Sequence, residues 1–455
     1  MDLIPNGIFV CLRNITIEPV LLLYMFATFM QYVAFQDLVY EKVCASEFNF
    51  SVCRNLYAPE NEANLGFVQN DASVWILIST TALVIPSIIS TIFLGSWGDS
   101  FGRKLPLIMP PIGGILSSIV YVCVSYDNLN GPLWPIILAS AFSGMFGGFV
   151  SCIMAVMSYI SNISSCDNRT SRISLVEAMT FIGGTAGPFA GGALLAAYGH
   201  STVFIVIGVC HILILFHIFI FVPFVPPENN YHERKICTTS HLTESINVCF
   251  KQRQNYKRSA ILAYLTSCLI IMTATAGEMD ISYLYVKDIP LKWDYRLYSY
   301  YFGLKYALGS IALIVGPYLK NVFNFEISDH AICVVGILSK FSGYLLLGYS
   351  STTTLMFLVP VISVLNVFSI PSLRSVLSKQ VEPNELGKLF ACVASVENVC
   401  TLLGSLLFNS LYPVMRDLYR GSIFHLAAGI QIIPLIIITQ TMLWKDHDYS
   451  LLENS

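Results

Sequence analysis

Charge is scarce in this sequence. Asp, Glu, Lys and Arg make up 12% of its 455 residues, about half the share found in an ordinary soluble domain. With 55% hydrophobic residues, a water-soluble globule would have too little polar surface to face solvent, and that class is excluded. Basic clusters are missing as well, and a net charge of −3 offers no electrostatic footprint for nucleic acid. The 13 cysteines are scattered and show no metal-ligand spacing. No nucleophile and base stand in a recognisable arrangement, so no enzymatic activity, metal or cofactor is expected. The N-terminal run MDLIPNGIFVCLRN lacks a small-residue cleavage site. The first apolar span is therefore expected to act as the targeting signal.

What is present is apolar length. Ile76–Phe93, Pro106–Ser125 and Ser201–Val225 contain no charged residue, and about 20 such residues cross the hydrocarbon core of a bilayer as a helix. Only helices and closed barrels satisfy their backbone there. The blocks lack the alternation of a barrel strand, so helices are expected. Twelve spans follow, near 17–39, 74–96, 105–126, 132–158, 173–197, 202–225, 259–282, 299–320, 331–349, 353–373, 389–412 and 421–443. The expected fold class is an all-α membrane protein whose twelve transmembrane helices form two six-helix bundles. The bundles are placed at 1–225 and 259–445, with a polar linker at 226–258 and a tail at 446–455.

Lysine and arginine set the orientation, because they concentrate in cytoplasmic loops. With both termini inside, sixteen fall in inner loops and seven in outer loops, so both termini are expected to be cytoplasmic. Asn49-Phe50-Ser51 then lies outside, and Asn49 is a candidate glycan acceptor. Cys44 and Cys53 share that outer loop, where a disulfide is permitted; pairing and free thiols both stay open. Cys123, Cys152, Cys210, Cys268, Cys333, Cys392 and Cys400 fall inside spans and are expected as small core residues. The tail carries Tyr449-Ser-Leu-Leu452, a four-residue pattern of the kind endocytic adaptors read.

Between the second and third spans stands Gly95-Ser-Trp-Gly-Asp99-Ser-Phe-Gly102-Arg103-Lys104. Gly102 suits a tight turn between helices. Arg103 and Lys104 hold the loop at the cytoplasmic surface, and Asp99 can pair with a cation or a helix start. This spacing is similar to the G-x-x-x-D-x-x-G-R-K/R signature of major facilitators. The resemblance implies the major facilitator fold, with Gly95, Asp99, Gly102, Arg103 and Lys104 as a conformational gate.

A narrower resemblance runs from end to end. Its segments are Glu18-Pro19-Val20 with Gln31-Tyr32, Arg172-Ile-Ser-Leu-Val-Glu177, Gly277-Glu-Met-Asp280-Ile-Ser-Tyr-Leu-Tyr285 and Trp293-Asp294. The longest is Pro371-Ser-Leu-Arg374-Ser-Val-Leu-Ser378-Lys379, continued by Glu385-Leu-Gly387-Lys-Leu-Phe390-Ala and Phe408-Asn409-Ser-Leu-Tyr412-Pro. In these the chain resembles the proton-coupled folate transporter family, solute carrier family 46. The resemblance implies a proton-coupling role for Glu177 and a proton- and substrate-binding role for Arg374, and it matches Asp280 to a span-seven aspartate. Three departures weigh against folate as cargo. Thr275 stands where members carry histidine, Met145 where an aspartate is frequent, and Lys292 where an outer-loop cysteine would pair.

The residues themselves point the same way, since ionisable groups inside a membrane are costly and usually functional. Glu278 and Asp280 lie close enough in sequence that both would not ionise comfortably together, which suits proton handling. Lys305 is a candidate contact for an anion, Lys340 for snorkelling and Glu397 for pairing with a cation. Tyr298, Tyr300, Tyr301 and Tyr306 suit either stacking on a flat substrate, with Tyr301 the candidate contact, or an interfacial aromatic belt. The run Gly183-Gly-Thr-Ala-Gly187-Pro188-Phe-Ala-Gly191-Gly192 is similar to a pattern of drug–proton antiporters and equally suits close helix packing. The expected function is proton-coupled symport of an organic anion by alternating access. Its partners would be a small molecule, protons and the bilayer, in the plasma membrane or an endosomal or lysosomal membrane. Antiport of amphipathic compounds and a non-transporting receptor on the same fold are the alternatives.

Overall fold

The computed structural model describes residues 16–126, 131–163, 166–224, 250–251, 257–322, 328–381 and 386–453. Most of the linker at 226–258 lies outside them. In chain order the helices are α1 (Glu18–Glu47), α2 (Phe50–Arg54), α3 (Glu62–Phe101), α4 (Lys104–Tyr126), α5 (Trp134–Met145), α6 (Gly148–Ile163), α7 (Cys166–Tyr198) and α8 (His200–Phe221). They continue as α9 (Lys257–Lys287), α10 (Tyr295–Val322), α11 (Asp329–Tyr349), α12 (Thr353–Ile362), α13 (Ser369–Ser378), α14 (Leu386–Leu418) and α15 (Ser422–Glu453). Among the described residues there is no strand. Eleven helical stretches among the described residues are long and apolar enough to cross a membrane. Helix α10, 28 residues long, takes the twelfth place, with Arg296 and Lys305 diluting its apolarity.

Helix starts follow the local chemistry. The Glu18 carboxylate accepts the amides of Thr16 and Ile17 at 2.9 and 3.0 Å, which suits a negative charge at the positive end of α1. The Ser328 and Thr352 hydroxyls accept from Ala331 N and Leu355 N and cap α11 and α12, satisfying donors that have no helical partner.

Several helices outrun their hydropathy. The stretch 40–73 between the first two expected spans is mostly helical, because α1 continues to Glu47 and α3 begins at Glu62. Hydropathy marks the hydrocarbon thickness, whereas backbone hydrogen bonding carries a helix beyond it.

Two expected spans are broken. The fourth divides into α5 and α6 around Gly147 and Gly148, whose φ values are +96° and +58°, a conformation open chiefly to glycine. The tenth divides into α12, a 3-10 turn at Val364–Phe368, and α13. A break frees carbonyls that the bilayer cannot hydrate, so protein must serve them. At the first break Ser87 Oγ donates to Gly147 O at 2.8 Å and Ser90 Oγ to Met145 O at 2.6 Å, both from α3. At the second, Ser339 Oγ of α11 donates to Ile362 O at 2.8 Å. The two breaks fall on the fourth span of each set of six, the kind of correspondence that marks transporter repeats.

The chain forms two compact units. The first holds Met1–Phe35, Ile85–Asn128 and Trp134–Thr238; the second holds Gln36–Val84, Leu129–Leu133 and Thr239–Ser455. The core of the first gathers Leu21, Tyr24, Leu107, Val156, Tyr159 and Ile214. That of the second gathers Ile261, Tyr264, Ile337, Leu373, Leu377 and Ile438. Along α8, Ile205, Ile212, Phe216 and Phe219 are 51–62% exposed, an apolar face that lipid solvates and water would not. Of the span cysteines Cys123 is exposed rather than core, and the others are buried.

The glycines of α7 are packing glycines. A side chain at Gly183 would meet Met25 and the Phe26 amide, and one at Gly187 would meet the Phe26 carbonyl. Small residues here let the backbones of α7 and α1 approach. Gly187→Leu is therefore expected to cost about 1–3 kcal/mol through overpacking, read as a lower apparent melting temperature of the detergent-purified protein. Gly429→Ala, where a Cβ meets nothing within 4 Å, should leave it unchanged.

Candidate functional site

The second unit holds the ionisable groups of interest, and α9 organises them. Glu278 and Asp280 are two residues apart, which at 3.6 residues per turn points them to different faces. Glu278 faces α10 and α11. One carboxylate oxygen pairs with Lys305 and the other with Lys340, the latter at 3.3 Å. Asp280 faces α14, where Asn409 Nδ2 donates to its Oδ2 at 2.9 Å. The expectation that the two carboxylates crowd one another is thus corrected, because helical phase gives each its own partners. Glu278 and Asp280 are 5% and 6% exposed. Lys340 is buried, with its ammonium 5.1 Å from the Tyr344 ring centre, so it does not snorkel. The Lys305 side chain is 24% exposed and is the accessible member.

Around this core runs a polar seam in which 36–84 meets α9 and α14. Gln36 Nε2 donates to the Met279 and Asp280 carbonyls at 3.3 and 3.4 Å. Asp37 pairs with Lys287 at 3.1 Å and accepts from the Tyr283 hydroxyl. The Lys287 ammonium also lies over the rings of Tyr40 and Tyr283, a cation–π arrangement that supports a buried cation. Ser73 Oγ reaches Asn409 O at 3.5 Å, and the Tyr412 hydroxyl meets Gln69 Oε1 at 3.3 Å. At the end of the seam Asp288 accepts Arg416 at 2.8 and 3.2 Å. Arg420 lies 3.5 Å from Asp288 and 3.4 Å from Glu62. A cavity of about 910 Å³ opens here among Glu62, Asn70, Tyr285, Arg416, Asp417 and Arg420.

Arg374 pairs with Glu397 on α14, which gives the span-eleven glutamate its cation. Tyr298 and Tyr301 are buried, and Tyr301 sits edge-on to Trp293 and Phe357. They form an internal aromatic cluster rather than an interfacial belt, while Tyr300 accepts from Arg296 nearer solvent. The side chains of Glu177, Asp99 and Tyr449 lie outside those described; the backbone at these positions and at Gly95 is helical. Gly102 has φ +100°, the turn geometry expected of it. Arg103 donates to Ser158 Oγ, and Lys104 donates to Val222 O, both at 2.8 Å. Lys104 thus caps the negative end of α8. Asn49 is exposed ahead of α2. Cys44 and Cys53 are disulfide-bonded, with Cα atoms 5.9 Å apart.

Sequence reasoning passed over Gln36, Asp37, Asn409 and Asp288. Asp37 stood inside the first expected span, where an ionisable residue is itself a signal. Asn409 stood in a segment of the family resemblance, but its role and that of Asp288 lie in partners more than a hundred residues away.

The chain matches the family model of the Major Facilitator Superfamily over residues 19–405, and it belongs to that superfamily. Within it, the chain is similar to the lysosomal proton-coupled steroid conjugate and bile acid symporter of Gallus gallus. The two are 27% identical over 459 residues, covering 97% of each chain. It is also similar to the proton-coupled folate transporter of Rattus norvegicus, 26% identical over 431 residues, 93% of this chain and 91% of that one. Its fold matches the crystal structure of the human organic anion transporter MFSD10 with a TM-score of 0.65 and 16% identity, covering 93% and 98% of the two chains. A POT peptide transporter in complex with sulfate gives 0.64 and 13%, covering 92% and 94%.

Removing one partner of a buried ion pair strands the other. Asp37→Asn is expected to destabilise the protein by about 3–5 kcal/mol because Lys287 stays buried and charged. Asp37→Asn combined with Lys287→Met should recover most of the loss. The apparent melting temperatures of both variants test this.

Proposed function

We propose that the protein is a proton-coupled symporter of an organic anion, working by alternating access with 1–225 and 259–445 as its two halves. The observation that carries this reading is Asp280, a carboxylate buried toward the C-terminal end of α9. Through Gln36 and Asn409 its position is tied to α1 and α14. A proton taken up there changes the charge of a site bonded into helices that alternating access must rearrange. Glu177 is the second proton-carrying candidate. Lys305 and Arg374 are the anion contacts, Tyr301 lines the same region, and Glu278 serves as counter-ion to its two lysines. Proton-coupled symport in the folate and steroid-conjugate relatives supports the reading.

Antiport drew on the α7 glycines, which packing against α1 accounts for. A receptor without transport would show no flux. Both termini are placed in the cytoplasm, with Asn49 and the Cys44–Cys53 loop on the opposite side, in a plasma or lysosomal membrane. Adaptor binding at Tyr449 would direct sorting. Asn49→Gln should abolish a glycosidase-sensitive mobility shift, and a wild-type protein without that shift would contradict the topology.

Proteoliposomes with acid outside should accumulate a bile acid, a steroid conjugate or a folate. Asp280→Asn should bring acid-driven uptake to background while exchange of labelled for unlabelled substrate persists. If wild-type protein shows no acid-driven uptake of any of the three, or if Asp280→Asn still responds to the gradient, the reading fails.

A further inference from the structure

A stripe of four residues runs along α3. Glu62, Gly66, Gln69 and Ser73 are spaced by four, three and four positions, which puts them on one face of the helix. Each meets a residue of α14 or of the turn that follows it, taken in reverse order. Glu62 lies 3.4 Å from Arg420. Gly66 faces the Arg416 guanidinium, whose Nη1 is 3.2 Å from the place a Cβ would occupy. Gln69 Oε1 accepts from the Tyr412 hydroxyl at 3.3 Å, and Ser73 Oγ lies 3.5 Å from Asn409 O. The two segments thus form an antiparallel zipper made by side-chain tips.

Each rung is built to come apart. Pro413 stands inside α14 and has no N–H, so Asn409 O lacks the donor that the fourth residue on supplies in a helix. That carbonyl is left for Ser73. The Ser73 hydroxyl in turn has an acceptor within its own helix, Asn70 O at 2.7 Å, and falls back on it when Asn409 withdraws. Arg416 and Arg420 also keep partners without α3. Asp288 holds Arg416 at 2.8 and 3.2 Å, and Arg420 Nη1 donates to Ile289 O at 3.0 Å. Parting therefore strands no buried charge, which would be the costly event. The closed zipper even leaves Gln69 Nε2 and Asn70 Oδ1 buried with no partner among the described residues, a penalty that entering water removes.

Exposure grades along the stripe. Ser73, Gln69, Tyr412 and Asn409 are buried, whereas the Arg420 and Glu62 side chains are 32% and 68% exposed. The cavity of about 910 Å³ lies at this exposed end, lined by Glu62, Gly66, Arg416 and Arg420.

We propose that this zipper is the outer gate of the transport path, shut in this structure, and that it opens from the Glu62–Arg420 rung inward. This rests on the symport reading above, in which α3 belongs to the half at 1–225 and α14 to the half at 259–445. Every rung then joins one half to the other and must part for substrate to enter from outside. The deepest rung ends at Asn409, whose amide holds Asp280, so opening reaches the carboxylate to which that reading gives the proton. Gly66 is the residue that lets the gate shut, because any side chain there meets Arg416.

Two readouts test this, one of which needs no transport. Ala72, buried beside the deepest rung, is replaced by cysteine in the full-length purified protein. Its reaction with a water-soluble maleimide is followed by peptide mass. Gly66→Val, pressed against Arg416, should speed that reaction about tenfold, the scale of an overpacked contact. Glu62→Gln should speed it about threefold, the scale of an exposed ion pair, and Gly429→Ala should leave it unchanged. In a separate protein, Ala63→Cys and Leu418→Cys, both lining the cavity, are joined by a bismaleimide. Cross-linking should bring acid-driven uptake of a bile acid, steroid conjugate or folate to background, while capping the same cysteines with a monofunctional maleimide should not. An Ala72→Cys rate unchanged by both Gly66→Val and Glu62→Gln overturns the proposal. Uptake undiminished by the cross-link also overturns it and leaves symport standing. The expected labelling rates with no acid-driven uptake of any of the three substrates keep the zipper as a moving seam and defeat symport.

Discussion

A bilayer offers no water to a polar group inside it, so each charge within a span must find its partner in protein. The ion pair between Glu278 and its two lysines is where this constraint presses hardest. One carboxylate on α9 draws Lys305 of α10 and Lys340 of α11 to its two oxygens. That arrangement sets how three helices face one another and leaves one ammonium more than it neutralises. Asp280, two residues on, is held instead from α14 by Asn409.

The same constraint governs the backbone. Where the fourth and tenth spans break, carbonyls lose their helical donors, and serine hydroxyls of a neighbouring helix replace them. The glycines at the first break and the 3-10 turn at the second reach this result differently. Discontinuous helices at corresponding places in the two sets of six are what transporters use to put polar backbone at membrane depth.

In the second unit the seam of Gln36, Asp37, Gln69 and Ser73 with α9 and α14 is made of hydrogen bonds and ion pairs more than apolar burial. The hydrogen bonds among them re-form with other partners at little net cost, because a typical net hydrogen bond is worth only about 1 kcal/mol. A packed apolar interface would be harder to part and close again. The Asp288, Arg416, Arg420 and Glu62 network at the mouth of the cavity has the same character.

Hydropathy by itself determined the class and the number of spans to within the charged α10, and the glycine of the loop motif determined the turn at Gly102. Bilayer thickness imposes a run length visible in any one segment, and a tight turn imposes a residue type. Helix ends beyond the hydrocarbon, the interruptions near Gly147 and Val364, and the role of the α7 glycines needed neighbours to be seen. The sharpest case is Glu278 and Asp280. Two residues apart in sequence, they read as two acids that would not both ionise comfortably. Only the tertiary structure decided that one holds two lysines and the other an asparagine, because helical phase and the packing of α10, α11 and α14 choose the partner.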